Sequence, residues 1–463
     1  MQFIENRTFD ELKVGDSAQL ARTLRKQDIE LFAAMSGDIN PAHMDEDFAK
    51  SDIFHKVIAH GMWGGALISA VLGTELPGPG TIYLDQSLHF RHPVGLGESV
   101  VVRVTVRAKD AATKQIVLDC VCLDHAGKVL IDGEARVLAP TAKVRRPRAM
   151  LPEVHIHERG ARYQQLLDAA SEMTPLDTAV VHPCDELSLS GAIEAMRKNL
   201  IRPLLVGPER KIRIAAEKAG YALDGIELID APHSHAAAEQ AVAMARSGKV
   251  RALMKGALHT DELLAPVVDV STGLRTERRM SHIFALDVPT YPKPLFITDA
   301  AINIYPTLAD KRDIVQNAID LAHALGNTQP KVAILSAVET VNPKITSTVE
   351  AAALCKMLDR SQISGALLDG PLAFDNAISP AAAASKHLTS PVAGAADILV
   401  VPDLESGNML AKQLIYLAGA DAAGIVLGAR VPIILTSRAD GILSRLASCA
   451  LAQLFVHQRQ AKP

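Results

Sequence analysis

The sequence predicts two domains of different class. Residues 1–140 read as an α+β domain, a meander of strands around one apolar helix, and residues 161–463 as an α/β domain of the doubly wound type, with residues 141–160 as a linker. Three observations lead there. A chain of 463 residues exceeds what one ordinary core organises. The first region carries runs in which apolar and polar residues alternate, the mark of half-buried antiparallel strands. The second carries short apolar runs without alternation, the mark of strands buried on both faces of a mostly parallel sheet.

In the first region, Asp28–Ser36 is amphipathic and leads into the polar turn SGDINPAH. An apolar helical stretch, Met62–Leu72, follows. The alternating runs are Ile82–Phe90, Ser99–Ala108, Gln115–Leu123 and Val129–Leu138. Next, APTAKVRRPRAMLPEVHIHERG interrupts all periodicity with its prolines and reads as the linker, with His155 and His157 exposed. In the second region, helices are expected over Ser190–Ile201, Ser234–Ser247, Thr307–Leu325 and Ser347–Leu358. Thr307 and Asp310 form a capping pair, and Gly326 is a stop. The buried strands are KVAILSAV, GALLD, DILVVP, GIVLG and PIILTS. A ligand crevice is expected at the carboxyl ends of the strands.

Composition excludes several classes. Net charge is −4 and aromatics make up 4%, with no basic run interleaved by aromatics, so no nucleic-acid partner is expected. No apolar stretch approaches the roughly 20 residues that span a bilayer, and MQFIENRTFDELKVGD lacks the apolar core of a signal peptide. A soluble cytoplasmic protein without a membrane partner is the expectation. The five cysteines are scattered; Cys120 and Cys122 share one face of a strand and read as reduced core residues, and no metal site is expected. P-loop, dinucleotide-binding and nucleophile-elbow fingerprints do not occur.

In MSGDINPAHMDEDFA, Asp38 and His43 bracket a turn made by Asn40 and Pro41. A carboxylate and an imidazole on opposite sides of one water can activate it and return a proton, as addition of water across a double bond requires. Gly61, opening the apolar helix, offers backbone N–H groups and the positive helix end to a developing oxyanion. On residues alone, the turn reads equally as an ordinary turn in which Asp38 caps the chain. SGDINPAHMDEDFA, IAHGM and LPGPGTIYLDQSLHFRHPVGLGESV together resemble the MaoC-like (R)-specific enoyl-CoA hydratases over nearly the whole region. That resemblance implies a hot-dog fold and a homodimer or larger assembly with its sites at the subunit interface. It implies Asp38 and His43 as catalytic dyad, Gly61 as oxyanion donor, and Asn40 and Ser69 beside the substrate. The implied reaction is reversible syn hydration of trans-2-enoyl-CoA to (R)-3-hydroxyacyl-CoA. Trp63, after the HGM triplet, either narrows the acyl pocket or packs the core.

In the second region, PIILTSRADG ends a buried strand with Ser437 and Arg438; a guanidinium there suits a phosphate bidentately. MKGALHT places Lys255 and Thr260 at another strand-end turn, and FITDAAINIYP ends its strand at Asp299. Each alone reads more readily as a solvated turn than as a site, and only their convergence on strand ends points to a shared crevice. GAIEAMRKNLIRPLLVGP, LMKGALHT, GLRTERRMSHIFALDVP, FITDAAINIYPTL, VNPKITSTVEAAALCKM, DGPLAFDNAIS and PIILTSRAD resemble the phosphate acetyltransferase/phosphate butyryltransferase family from about Ala161 to the end, nearest the butyryltransferase branch. This implies two α/β subdomains with a cleft between them, the second lying within the first in sequence over roughly 290–436, and the reaction acyl-CoA + phosphate ⇌ acyl phosphate + CoA. CoA thioesters and phosphate are then substrates, with no bound cofactor. Ser437 would stabilise the oxyanion and Arg438 would hold phosphate or the thioester end. Two departures stand out. Where the acetyltransferase branch has an aspartate as base for the CoA thiol, this chain has Ser444, with Asp440 the nearby substitute. Where that branch has an arginine after its HT pair, this chain has LLAPV, and Arg275 is the replacement. The combined expectation is a bifunctional acyl-CoA enzyme. The alternatives are a single-activity enzyme in which one module, the C-terminal one being the first candidate, only binds CoA or assembles, and a metal-dependent hydroxy-acid dehydrogenase on the α/β module's fold.

Overall fold

The computed structural model describes residues 3–149, 154, 160–437 and 440–461. Clustering of contacts divides the chain into two compact units, Met1–Ile156 and His157–Pro463.

The first unit contains β1 (Phe3–Glu5), β2 (Ser17–Thr23), β3 (Ile82–Phe90), β4 (Ser99–Asp110), β5 (Gln115–Leu123), β6 (Val129–Leu138) and β7 (Arg145–Pro147). Five of them form an antiparallel sheet in the order β2–β4–β5–β6–β3, leaving β3 and β2 as edges. The central helix, Gly61–Thr74, lies on one face of this sheet and buries Trp63, Ile68, Val71 and Leu72 against Val102, Val104, Leu118 and Val137. Glycine is a poor helix former, but Gly64 leaves room for the sheet: a Cβ would meet Ile131 Cδ1 at 2.3 Å, so that side chain would have to shift. Cys120 and Cys122 sit on the buried side of β5, where burial pushes their thiols up to about 12 and about 11. β7 pairs antiparallel with β1, so Arg145–Pro147, expected within the linker, is a strand of this unit.

The second unit holds one sheet of eleven described strands. They are β8 (Leu176–Val181), β9 (Ile201–Gly207), β10 (Glu227–Asp230), β11 (Ala252–Lys255), β12 (Ser281–Asp287), β13 (Leu295–Thr298), β14 (Lys331–Leu335), β15 (Leu367–Leu372), β16 (Ile398–Val400), β17 (Asp421–Leu427) and β18 (Ile433–Ile434). Their order is β10–β9–β8–β11–β18–β17–β12–β13–β16–β14–β15. Pairing is parallel on both flanks and antiparallel across β18–β17–β12–β13, so the two flanks run in opposite directions. The chain builds the first flank through β11, leaves it for β12–β17, and returns with β18 beside β11. The inner segment therefore runs from 281 to 427 instead of the expected 290–436, because β12 pairs with β13 and β17, and β18 pairs with β11.

Helices cover both faces. Along β8, Val180 joins a core with Tyr163, Leu189 and Leu451, whereas Ala179 and Val181 join one with Ala237, Ala241 and Leu263. Burial on both faces explains why these strands carry no polar alternation. The helix expected over Ser190–Ile201 is Glu186–Arg197, and Ile201 already belongs to β9. Asp185 caps it through Ser188 N at 2.7 Å, a start signal lying five residues before the expected Ser190. Thr307 and Asp310 form the expected capping box on Leu308–Ala324.

Candidate active sites

In the first unit, Ser36, Gly37 and Asp38 end one helix, and Asn40 begins the next. Gly37 takes φ 76° as the C-cap of Lys26–Ser36, a conformation glycine adopts without strain. Asn40 accepts Ala42 N at 3.1 Å and caps the short helix Pro41–Met44, so its amide oxygen serves the turn. This puts His43 on the last turn of that helix, with its Nδ1 2.9 Å from Ile58 O. Donation of Nδ1–H to that carbonyl leaves Nε2 as the acceptor nitrogen. His60, only 2% exposed, sets its Nε2 2.9 Å from Asp38 O. Its ring lies 4.1 Å from that of His43 and stacks on Phe32 at 4.9 Å. Asp38, His43 and His60 thereby bring one ligand-type atom each within 4.8 Å of one another. Such a group can hold a water between acid and base; it also has the make-up of a three-ligand site for a divalent cation.

A cavity of about 240 Å³ opens beside this cluster, lined by His43, His60, Gly61, Trp63, Phe90 and Ile131 among others. Gly61 is the first residue of the central helix, whose first-turn N–H groups lack intrahelical partners. A Cβ on Gly61 would come 3.1 Å from the Phe90 ring. Trp63 does both things expected of it, packing in the core and lining the cavity. Ser69 differs from expectation. It lies on the exposed side of the central helix, away from the sheet, and does not line this cavity.

In the second unit, Lys255 ends β11 and Ser437 follows β18, and these strands are parallel neighbours, so both residues arrive at one edge of the sheet. Lys255 is 5% exposed and Ser437 is exposed. Gly256 allows the close approach: its N–H donates to Val181 O at 2.9 Å, and a Cβ would stand 2.4 Å from that oxygen. The segment then turns through His259 into the helix Thr260–Val268, whose first residue, Thr260, presents the positive helix end. Asp440 accepts Ser437 N at 2.6 Å. Burial raises its pKa, opposed by that hydrogen bond and by the charges of Arg445 and Lys255. Arg438 lies outside the described residues.

Arg275 lines a different part of the unit, a cavity of about 480 Å³ between Leu264 and Val268 on one side and Ile302, Asp310 and Asp313 on the other. Asp299, expected at the substrate, is instead 3% exposed and satisfied within its own turn. It accepts from Ala301 N at 3.0 Å, Ile302 N at 3.1 Å, Asn303 N at 3.2 Å and Asn303 Nδ2 at 2.5 Å. The reason is geometric: a strand-end aspartate finds the backbone N–H groups of the following turn before it finds a ligand.

A phosphate acetyltransferase of Rhizobium meliloti is 62% identical over 301 residues, covering 65% of this chain and 95% of the relative. The chain belongs to the phosphate acetyl/butyryltransferase family. The family model described as phosphate acetyl/butaryl transferase matches residues 235–452 of this acyltransferase-family member. A phosphate butyryltransferase of Clostridium acetobutylicum is 41% identical over 285 residues, 62% of this chain and 94% of that one. Among solved structures, a branched-chain phosphotransacylase from Enterococcus faecalis is 31% identical, with a TM-score of 0.54 over 61% of this chain and 99% of its own. A second model, described as MaoC like domain, matches residues 12–121. An R-hydratase from Pseudomonas aeruginosa is 42% identical, covering 34% of this chain and 100% of its own, at a TM-score of 0.33. This member of the phosphate acetyl/butyryltransferase family therefore carries a MaoC-like hydratase domain ahead of its acyltransferase domain.

Two structural participants escape a reading of motifs. His60 touches both members of the Asp38–His43 pair, and its only mark in sequence is a histidine directly before an apolar helix. Arg445 is 3% exposed and bonds the loop that carries Ser437. A lone arginine in an apolar helical pattern is its signal, since arginine is seldom fully buried without a partner.

Proposed function

We propose that this chain is a bifunctional acyl-CoA enzyme. Its first domain interconverts trans-2-enoyl-CoA and (R)-3-hydroxyacyl-CoA, and its second transfers acyl groups between CoA and phosphate. The grouping of Asp38, His43 and His60 beside a cavity that Gly61 lines carries the hydratase reading. A water held between Asp38 and His43 adds its oxygen to the β-carbon. Its proton passes through the pair to the α-carbon, while the Gly61 end of the helix faces the enolate-like oxygen. Lys255 and Ser437 on adjacent parallel strand ends support the acyltransferase reading. In the direction of acyl phosphate synthesis, a phosphate oxygen attacks the thioester carbon, the C–S bond breaks, and the thiolate leaves. In reverse, Asp440 takes the thiol proton. The hydratase domain is proposed to pair as a homodimer through the β3 edge, where Ile82, Leu84 and Phe90 are exposed. The proposed chemistry runs through side chains and backbone N–H groups, with CoA thioesters and phosphate as substrates.

The test is a panel on the full chain. Loss of enoyl absorbance is followed with crotonyl-CoA, and thiol release is followed with acetyl-CoA and butyryl-CoA in phosphate buffer. Both signals are expected. Absence of hydration across graded chain lengths removes the first half of the reading; absence of phosphate-dependent thiol release removes the second.

A further inference from the structure

We infer that Arg445 is a positioning residue for acyl transfer: from the first turn of the helix Ile442–Ala461 it holds the Ser437 loop in its working shape. The inference rests on the reading of that loop as the acyltransferase site. The three nitrogens of its guanidinium point at Thr436, Ser437 and Asp440. Nη1 donates to Thr436 Oγ1 at 3.0 Å, Nη2 to Ser437 O at 3.1 Å and Nε to Asp440 O at 3.3 Å. These contacts clasp the loop on both sides of Ser437, while Ser437 N–H donates across it to the Asp440 carboxylate.

A buried guanidinium is costly unless its donors are satisfied. Arg445 is 3% exposed, and burial lowers its pKa. Its donors are met by two carbonyls and a hydroxyl of the loop, and the charges of Asp440 and Asp185 favour it further, so the charge and the loop geometry depend on each other. A lysine would reach at most part of this set, because an ammonium lacks the planar fork. The side chain is also fixed from behind. Gly191, on the helix Glu186–Arg197, faces it so closely that a Cβ there would stand 2.5 Å from Arg445 Cδ. The retained positive charge also acts on Asp440, lowering a pKa that burial raises.

The experiment uses the full chain and measures thiol release from acyl-CoA with phosphate, with crotonyl-CoA hydration as internal control. Arg445→Met is expected to lower kcat of transfer about 100-fold, with KM for acyl-CoA changed by no more than a few-fold and hydration retained. With acyl phosphate and CoA as substrates, the direction in which Asp440 is the base, the acidic limb of the residual activity is expected to move upward, since Asp440 loses a neighbouring cation; a purely structural loss would leave that limb in place. Arg445→Lys, which keeps the charge, is expected to recover part of kcat and to leave the limb near its wild-type position. Gly191→Ala, which displaces Arg445 without replacing it, is expected to lower kcat in the same way. If Arg445→Met unfolds the domain, Arg445→Lys and Gly191→Ala decide. Transfer within twofold of wild type in those variants, or a rise in KM with kcat unchanged, overturns the inference. Ser437→Ala separates the two readings. If it too leaves transfer intact, the loop is not the site; if it lowers transfer while the Arg445 variants do not, only the role of Arg445 is lost.

Discussion

The Nδ1 contact of His43 with a main-chain carbonyl decides what its ring can do. With that proton committed, the other nitrogen is free to accept one, and Asp38 supplies the complementary carboxylate. Asp38→Asn keeps the size and turn hydrogen bonding but removes the base, so hydration is expected to fall about 10²–10⁴-fold in kcat, measured with crotonyl-CoA, while acyl transfer stays at its wild-type rate. Asp440 gives a second residue-scale expectation, in pH. Burial raises its pKa, and a base works only when deprotonated, so transfer from acyl phosphate to CoA should fall as pH drops through a value above the usual carboxylate range of about 3.9. The sign for stability is opposite. The folded state binds this proton more readily than the unfolded chain, so the carboxylate destabilises the fold at neutral pH, and that effect fades as pH falls from the raised pKa to about 3.9. Asp440→Asn is expected to abolish the acidic limb and raise the melting temperature slightly at pH 7. A limb unchanged in the variant would show that another group titrates.

How much of this was legible in the sequence follows from distance along the chain. Asp38 and His43 are five positions apart, and one turn and one short helix bring them together, so the motif carries its own geometry. His60 comes from the start of the next long helix, and its contact with Asp38 exists only after the sheet has folded under that helix. Asp299 shows the same limit in reverse: it closes its own turn, and polar strand-end residues look alike in sequence whether they face a ligand or a turn.

At the scale of elements, strand alternation gave the four long strands of the meander almost to the residue; in β4 and β5 it matches burial of every second residue, whereas β3 keeps the pattern although it is mostly exposed. Strands β12 and β13 carry no such mark: buried on both faces, they read as generic apolar runs, and nothing local says that they pair antiparallel. The meeting of β8 and β11 depends on a glycine for which the pattern gives no warning. At Gly256 the two backbones are so close that a methyl group would stand 2.4 Å from Val181 O and 2.7 Å from His182 O. Backbone cannot rotate away as a side chain tip can, so Gly256→Ala must part the strand ends that aim Lys255. The expected cost is about 1–3 kcal/mol of stability, read as a lower melting temperature of the acyltransferase domain. Phosphate-dependent thiol release should drop with it, and crotonyl-CoA hydration should not. Normal transfer in a protein of normal stability would mean that the spacing at this strand end is not required.

For the whole molecule, the decisive feature of the hydratase domain is an edge that is unfinished. β3 has β6 on one side and no described strand on the other, and it exposes Ile82, Leu84 and Phe90 at 55%, 47% and 53%. A long edge strand with apolar side chains and open hydrogen-bonding groups is a template for another strand. Two copies meeting there would continue the sheet and bury that surface. Phe90 also lines the Gly61 cavity, so the edge and the site are continuous. Leu84→Glu places a charge on that edge without touching the Asp38–His43 cluster. Sedimentation of the wild-type chain is expected to show a dimer or larger assembly, and the variant is expected to dissociate at least in part. Because Phe90 links edge and cavity, crotonyl-CoA hydration should fall with the loss of assembly and recover as protein concentration rises. A wild-type chain that sediments as a monomer at every concentration while hydrating at full rate would leave β3 a bare edge and make the hydratase site complete within one chain.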